Sequence, residues 1–407
     1  MPAPNAATAR QRVFVHVGPP KTGTTFVQGV LWNNRAALRD SGILVPGRGE
    51  ASHFTAAGDL RGRVKRRGAG QRKLTGHWDR LAAEVREWPG TSVISCEWLA
   101  ACDEQQVKRA ITSFGPVEVH VVTTLRDLGR VVPAVWQEQI KNGKHFTMTE
   151  FLDQLAHPLP GTYGELFWRA QDTRRLLGRW GQDLPADRVH AVTLPASGAD
   201  PAELWNRFSS LLVADPAAYD TSGVRANPGL DPAAAELLRR VNAELGGRMR
   251  KAAHSPLVKQ LLHGELTKEK SGGRTRLPAG EVASIAATGE AVIEWLRESG
   301  HDVVGDLADL RVDTTPRDTS LPEDSPEADV SRAAVRSMAS LLLTMQADGA
   351  HKRKVWRGGP RTARPEHPES DAPPLAAPPR AATAASRRAL SFARRVADGV
   401  RRRVTRG

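Results

Sequence analysis

The segment Gly18-Pro19-Pro20-Lys21-Thr22-Gly23-Thr24-Thr25 gathers two glycines, one lysine and three hydroxyls between a β-branched run and a helical pattern. A loop that leaves a strand and opens a helix is where backbone N–H groups and the helix dipole converge on an anion. Phosphate or sulfate is the ligand that such a loop holds. A second cation of interest is Arg126, delivered at the end of the apolar run Val117 to Leu125 in Thr123-Thr124-Leu125-Arg126-Asp127. A guanidinium in that place offers a planar fork of donors suited to a phosphate group.

The Gly18 to Gly23 spacing is that of a nucleotide-triphosphatase loop, but Thr24 stands where that loop carries its lysine. The loop's own lysine, Lys21, lies two residues before the second glycine. A magnesium-dependent kinase or nucleotidase needs the missing lysine, so that reading is a rival and not the first choice.

Pro20-Lys21-Thr22-Gly23-Thr24-Thr25 closely resembles the 5′-phosphosulfate loop of the sulfotransferase superfamily, whose donor is 3′-phosphoadenosine 5′-phosphosulfate. The likeness is clearest over residues 12 to 46 and 117 to 152, where Trp136-Gln137-Glu138 and Glu150-Phe151-Leu152 look like a bacterial branch. The turn Val304-Gly305-Asp306-Leu307 resembles the end of such domains. The resemblance implies transfer of a sulfuryl group to a hydroxyl or amine without a metal. Lys21 would neutralise charge growing on the bridging oxygen, while Thr22 to Thr25 hold the 5′-phosphate. Arg126 would grip the 3′-phosphate, with Arg130 as an extra partner. The family's serine eight residues after that arginine is replaced here by Ala134.

Such a transfer needs a group to accept the acceptor's proton, and relatives use histidine or glutamate. His53, in Glu50-Ala51-Ser52-His53-Phe54, ranks first because it lies where relatives carry their base. Glu97 ranks second, since the end of the strand Thr91 to Ser95 would project it from the carboxyl edge of a parallel sheet. Glu50 ranks third. The acceptor stays open among a glycan, a lipid headgroup and a small metabolite. A non-catalytic nucleotide-binding or scaffold protein is the reading from a different class.

These residues require particular elements to position them. Short apolar runs at Arg12 to Val17, Thr91 to Ser95, Val117 to Leu125 and Arg188 to Leu194 read as strands. Between and after them, helical spacing marks Thr24 to Asp40, Trp78 to Glu87, Glu104 to Phe114, Gly129 to Lys141 and Tyr163 to Trp180. Further helices follow at Pro201 to Val213, Pro232 to Leu245, Ala279 to Glu298 and Pro326 to Gln346. The alternation predicts a three-layer α/β/α domain with a mostly parallel sheet, in the manner of P-loop kinases, and a helical C-terminal part.

The domain is expected over residues 12 to 310. A disordered leader at 1 to 11 would precede it. A linker and helix at 311 to 350 would follow, then a Pro/Arg/Ala-rich disordered linker at 351 to 385 and a basic amphipathic helix at 386 to 407. Two cysteines, Cys96 and Cys102, are too few for a disulfide framework and fit a reducing compartment. No run approaches the ~18 apolar residues of a membrane-spanning helix. The expectation is a cytoplasmic protein that touches at most the inner face of a membrane.

The chain carries a net charge of +13, but Lys352 to Gly407 alone hold fifteen Lys and Arg against four Asp and Glu. The body is therefore nearly neutral, and the basic tail suits an anionic membrane surface. Nucleic acid is not expected as a partner, because stacking aromatics are scarce after Trp356. Seven of the thirteen residues from Arg61 to Lys73 are also basic, which reads as a mobile loop that either recruits an acidic acceptor or is simply solvated.

Overall fold

In a computed structural model, the described residues are 10–67, 70–73, 75–213, 215–224, 229–249, 251–267, 273–315 and 321–357. The strands are β1 (Arg12–His16), β2 (Ile43–Leu44), β3 (Val64–Arg67), β4 (Gly70–Lys73), β5 (Thr91–Ser95), β6 (Glu118–Leu125), β7 (Val189–Thr193) and β8 (Asp302–Val304). Six of them form one sheet in the order β2-β5-β1-β6-β7-β8, and every pairing in it is parallel. The protein is therefore an α/β protein, as its alternating pattern predicts.

Strand alternation divides the burial. Val13 and Val15 of β1 point into one core with Ala56, Trp78, Ala110 and Trp180 from four helices. Phe14, between them, points into another core with Val27 and Trp205. Helices thus cover both faces of the sheet, an arrangement compatible with three layers. A separate core joins the helix Leu128–Lys141 to Met148–Ala156 and Pro232–Leu245 through Trp136, Phe151 and Leu238. Trp78, Trp136, Trp180 and Trp205 are all fully buried. Truncating any one of them to alanine costs about 3–5 kcal/mol on the usual scale for core tryptophans.

Two expected helices are interrupted by side chains that cap. The pattern Thr24 to Asp40 divides at Asn34 into helices Thr24–Asn33 and Arg35–Asp40. The Asn34 amide donates to Val30 O and Asp220 O, while its own oxygen accepts from Asp220 N at 2.9 Å. The pattern Tyr163 to Trp180 likewise divides at Asp172, whose carboxylate accepts from the N–H groups of Arg174 and Arg175 and starts the helix Thr173–Gly181. The helix from Pro201 ends at Ser209 and not at Val213.

The basic stretch Arg61 to Lys73 is not simply a loop: β3 and β4 pair antiparallel, with Arg66 opposite Gln71. At the other end of the chain, the helix Glu327–Arg357 runs past Gln346 and into the stretch expected to be disordered from residue 351. The remainder of that linker, the terminal helix expected at 386 to 407 and the leader up to residue 9 lie outside the described residues.

Candidate functional site

Carboxyl ends of four neighbouring strands converge on one large cavity. The loop after β1 brings Lys21, the residue two beyond β5 is Glu97, the residue after β6 is Arg126, and the turn after β7 brings Ser197; all four line the cavity. This is where ligands sit in open parallel sheets. The cavity measures about 2500 Å³, well beyond the roughly 300–1,000 Å³ of an ordinary ligand pocket.

The loop is held from beneath by a chain of buried polar groups. His16 has one ring nitrogen 2.7 Å from Ser95 Oγ and the other 3.1 Å from Thr124 Oγ1. Thr124 Oγ1 lies 2.9 Å from Thr22 Oγ1, which donates to Pro19 O at 2.7 Å. Burial pushes the His16 imidazole down to about 3, so it stays neutral. A Cβ at Gly18 would stand 2.4 Å from both His16 Nε2 and Thr124 Oγ1, which is why this position is glycine. Thr22 is thus a loop anchor, and it does not line the cavity, whereas Pro20, Lys21, Gly23, Thr24 and Thr25 do.

Gly23 is the N-cap of the helix Thr24–Asn33 at φ 85, and it supplies no capping side chain. Among the described residues none accepts a hydrogen bond from the Thr24 or Thr25 amide. The first turn of the helix therefore presents its N–H groups to whatever enters the cavity. Lys21 itself sits at φ 72, a left-handed conformation that costs a non-glycine residue about 1–3 kcal/mol. Arg126 Nη1 donates to Lys21 O at 3.2 Å and so helps to hold it there.

Arg126 is only partly exposed, and its Nε is buried without a hydrogen-bond partner. Burial, then the neighbouring cation Arg130, lowers its guanidinium to about 10, with Asp127 opposing and Arg274 adding to the fall. A desolvated cation beside two others is stabilised by an anion. Arg130 is braced by the Asp127 carboxylate and donates to Pro195 O at 3.4 Å. Arg274 reaches Ser197 Oγ at 3.4 Å. Ala134 lines the same cavity but offers no hydroxyl, whereas Ser197 and Thr275, both of which line it, do.

The Trp136-Gln137-Glu138 stretch assembles this ensemble. Trp136 is fully buried, with its indole N–H on Phe146 O, and so is core. Gln137 Nε2 donates to Leu230 O and to Thr275 Oγ1, both at 2.8 Å, which ties the Arg274 segment down over the helix. Glu138 Oε2 accepts from Lys21 Nζ at 2.7 Å. Three consecutive residues serve the core, the late segment and the loop in turn.

The three expected bases part company. His53 is a correction: it is 1 % exposed, does not line the cavity, and places both ring nitrogens on backbone. Burial pushes it down to about 4. The neutral imidazole that results donates from Nε2 to Pro46 O at 3.0 Å, and Nδ1 accepts the Ser95 N–H at 3.3 Å. It has no lone pair left for a substrate. Glu50 is also corrected, being the exposed N-cap of the helix Ala51–Leu60 and no part of the cavity lining. Glu97 does line it, with Thr24 Oγ1 donating to Oε2 at 3.4 Å.

Around Glu97 the wall changes character. Trp98 and Phe54 meet nearly edge to face at 5.8 Å, and the exposed Arg63 guanidinium stacks 4.8 Å over Trp98. Cys96 and Cys102 are buried nearby, and burial pushes both thiols up to about 12, so neither is a nucleophile. Sequence reasoning missed Arg274, Ser197 and the role of Glu138. A basic Gly273-Arg274-Thr275-Arg276 run was the one local signal for the first, and nothing local marks the other two.

No protein-family model, curated protein or solved structure matches this chain.

Proposed function

We propose that the protein is a sulfotransferase of the three-layer, P-loop kinase-like kind, using 3′-phosphoadenosine 5′-phosphosulfate as donor. The observation that carries this reading is the pairing, in one cavity, of an uncapped helix N-terminus bearing Lys21 with the guanidinium cluster Arg126, Arg130 and Arg274. Two separate cationic subsites suit a nucleotide with phosphate at both its 5′ and 3′ positions. Thr24, Thr25 and the first-turn amides hold the 5′ end. Arg126, Arg130, Arg274 and Ser197 hold the 3′-phosphate.

The acceptor enters beside Glu97, Phe54, Trp98 and Arg63. Its hydroxyl oxygen attacks sulfur in line as the bond from sulfur to the bridging phosphate oxygen breaks. The hydroxyl proton passes to the Glu97 carboxylate, and Lys21 stabilises the negative charge left on the bridging oxygen. The products are the sulfated acceptor and 3′-phosphoadenosine 5′-phosphate. A phosphoryl-transferring kinase is disfavoured because Thr24 occupies the position of its lysine.

The test is slow release of sulfate from the donor with water as acceptor. Wild-type protein should accelerate it, and Lys21→Ala should reduce that rate by about 100-fold. Binding of the nucleotide without any turnover, with or without added acceptors, would favour the scaffold reading.

A further inference from the structure

The helix Glu327–Arg357 packs one face against helices Pro232–Leu245 and His263–Leu266, burying Val330 to 3 % and Ser337 to 6 %. Its other face is exposed and carries a cluster of large apolar side chains. Val335, Met338, Leu342 and Leu343 are 68 %, 64 %, 61 % and 65 % exposed. Their spacing of three, four and one residues puts them on one stripe. Four large apolar side chains left together in water on a single helix face mark an interaction surface.

The helix carries mixed charge at its start, where Arg332 pairs with Asp329 at 2.8 Å, and turns basic toward its end. Between Asp329 and Asp348 the ionisable residues of the helix are Arg332 and Arg336 only. The sequence of the same helix then closes on Lys352-Arg353-Lys354-Val355-Trp356-Arg357, and the chain beyond it is also rich in arginine. An apolar stripe combined with a polybasic run is the two-part signal that holds a helix in the plane of an anionic bilayer. No described helix is long and apolar enough to cross one.

We propose that this stripe inserts into the headgroup layer of an anionic phospholipid membrane and docks the protein peripherally. A second copy of the chain fits the surface less well. A stable dimer uses about 20–30 residues on each side, against the four of this stripe. The docking surface stands apart from the sulfotransferase reading, because none of the four stripe residues lines the cavity.

Vesicle co-sedimentation of the full chain tests it, with vesicles of phosphatidylcholine alone and vesicles with about one third phosphatidylserine. Wild type should bind the anionic vesicles and not the neutral ones. A variant carrying Val335→Ser, Met338→Ser, Leu342→Ser and Leu343→Ser should lose at least about tenfold in vesicle affinity. Its melting curve and nucleotide binding should match wild type, because all four side chains are exposed. Wild type that stays in solution overturns the proposal. So does a serine variant that binds as well as wild type, which would assign binding to the basic tail alone. A wild-type dimer that becomes a monomer in the serine variant overturns it in favour of a second copy.

Discussion

Lys21 Nζ lies 2.7 Å from Glu138 Oε2, an ion pair that joins the loop after β1 to the helix Leu128–Lys141. Both side chains are about one-fifth exposed, at 21 % and 22 %, so the pair is partly screened by water. The carboxylate holds the lysine in the cavity while also competing with an anionic donor for it. Glu138→Gln should therefore tighten binding of 3′-phosphoadenosine 5′-phosphate by roughly fivefold, equivalent to about 1 kcal/mol. Turnover should fall, because Lys21 is then less well placed. Titration calorimetry beside steady-state rates separates the two effects, and weaker binding would show that Glu138 supports the site in another way.

Glu97→Gln should leave nucleotide binding within about twofold and lower sulfuryl transfer to an acceptor by about 100-fold or more, the usual scale for losing a general base. A rate within threefold of wild type would remove Glu97 from the chemistry.

Acid should destabilise the protein through its buried histidines. The native state holds His16 at about 3 and His53 at about 4, both below the 6.5 of an unperturbed imidazole. Their stabilising contribution is complete above pH 6.5 and is lost progressively as pH falls toward those values, because the unfolded chain binds protons first. Each histidine should remove on the order of 2 kcal/mol between pH 7 and pH 5. Urea unfolding at several pH values measures this. His53→Gln should flatten the slope and keep turnover at pH 7.5 within about threefold; a loss of turnover at unchanged stability would return His53 to the role of base.

The contrast between His53 and Glu97 shows where sequence reasoning stops. Both were legible as candidates from position, but only the fold reveals that Pro46 O and Ser95 N occupy the two ring nitrogens of His53. The loop Gly18 to Thr25 was legible because its chemistry is local, and Arg126 because a strand end announces it. Arg274 joins Arg126 through the long-range tie of Gln137 to Thr275, which no spacing encodes. The central strands were readable as apolar runs, whereas β2 and β8, with two and three residues, are too short to leave a pattern. Helix ends at Asn34 and Asp172 depend on what their side chains meet after folding.

Arg126 and Arg274 should act on one phosphate and so fail to be additive. Arg126→Ala should weaken 3′-phosphoadenosine 5′-phosphate by about 30-fold and Arg274→Ala by about tenfold, with the double variant losing less than the product. Adenosine 5′-phosphate, which lacks the 3′-phosphate, should bind wild type and Arg274→Ala alike, and lose far less than 3′-phosphoadenosine 5′-phosphate where Arg126 is removed, through the freed Lys21 carbonyl alone. Equal losses for both nucleotides would place the arginines elsewhere.

The most direct test of the central claim is calorimetric binding of 3′-phosphoadenosine 5′-phosphate at low salt to wild type, Lys21→Ala and Arg126→Ala. The account predicts micromolar binding by wild type, weakened at least about tenfold by either substitution, since each removes a cation from one of two phosphate subsites. Wild type that shows no binding would contradict the account, as would binding that neither substitution changes.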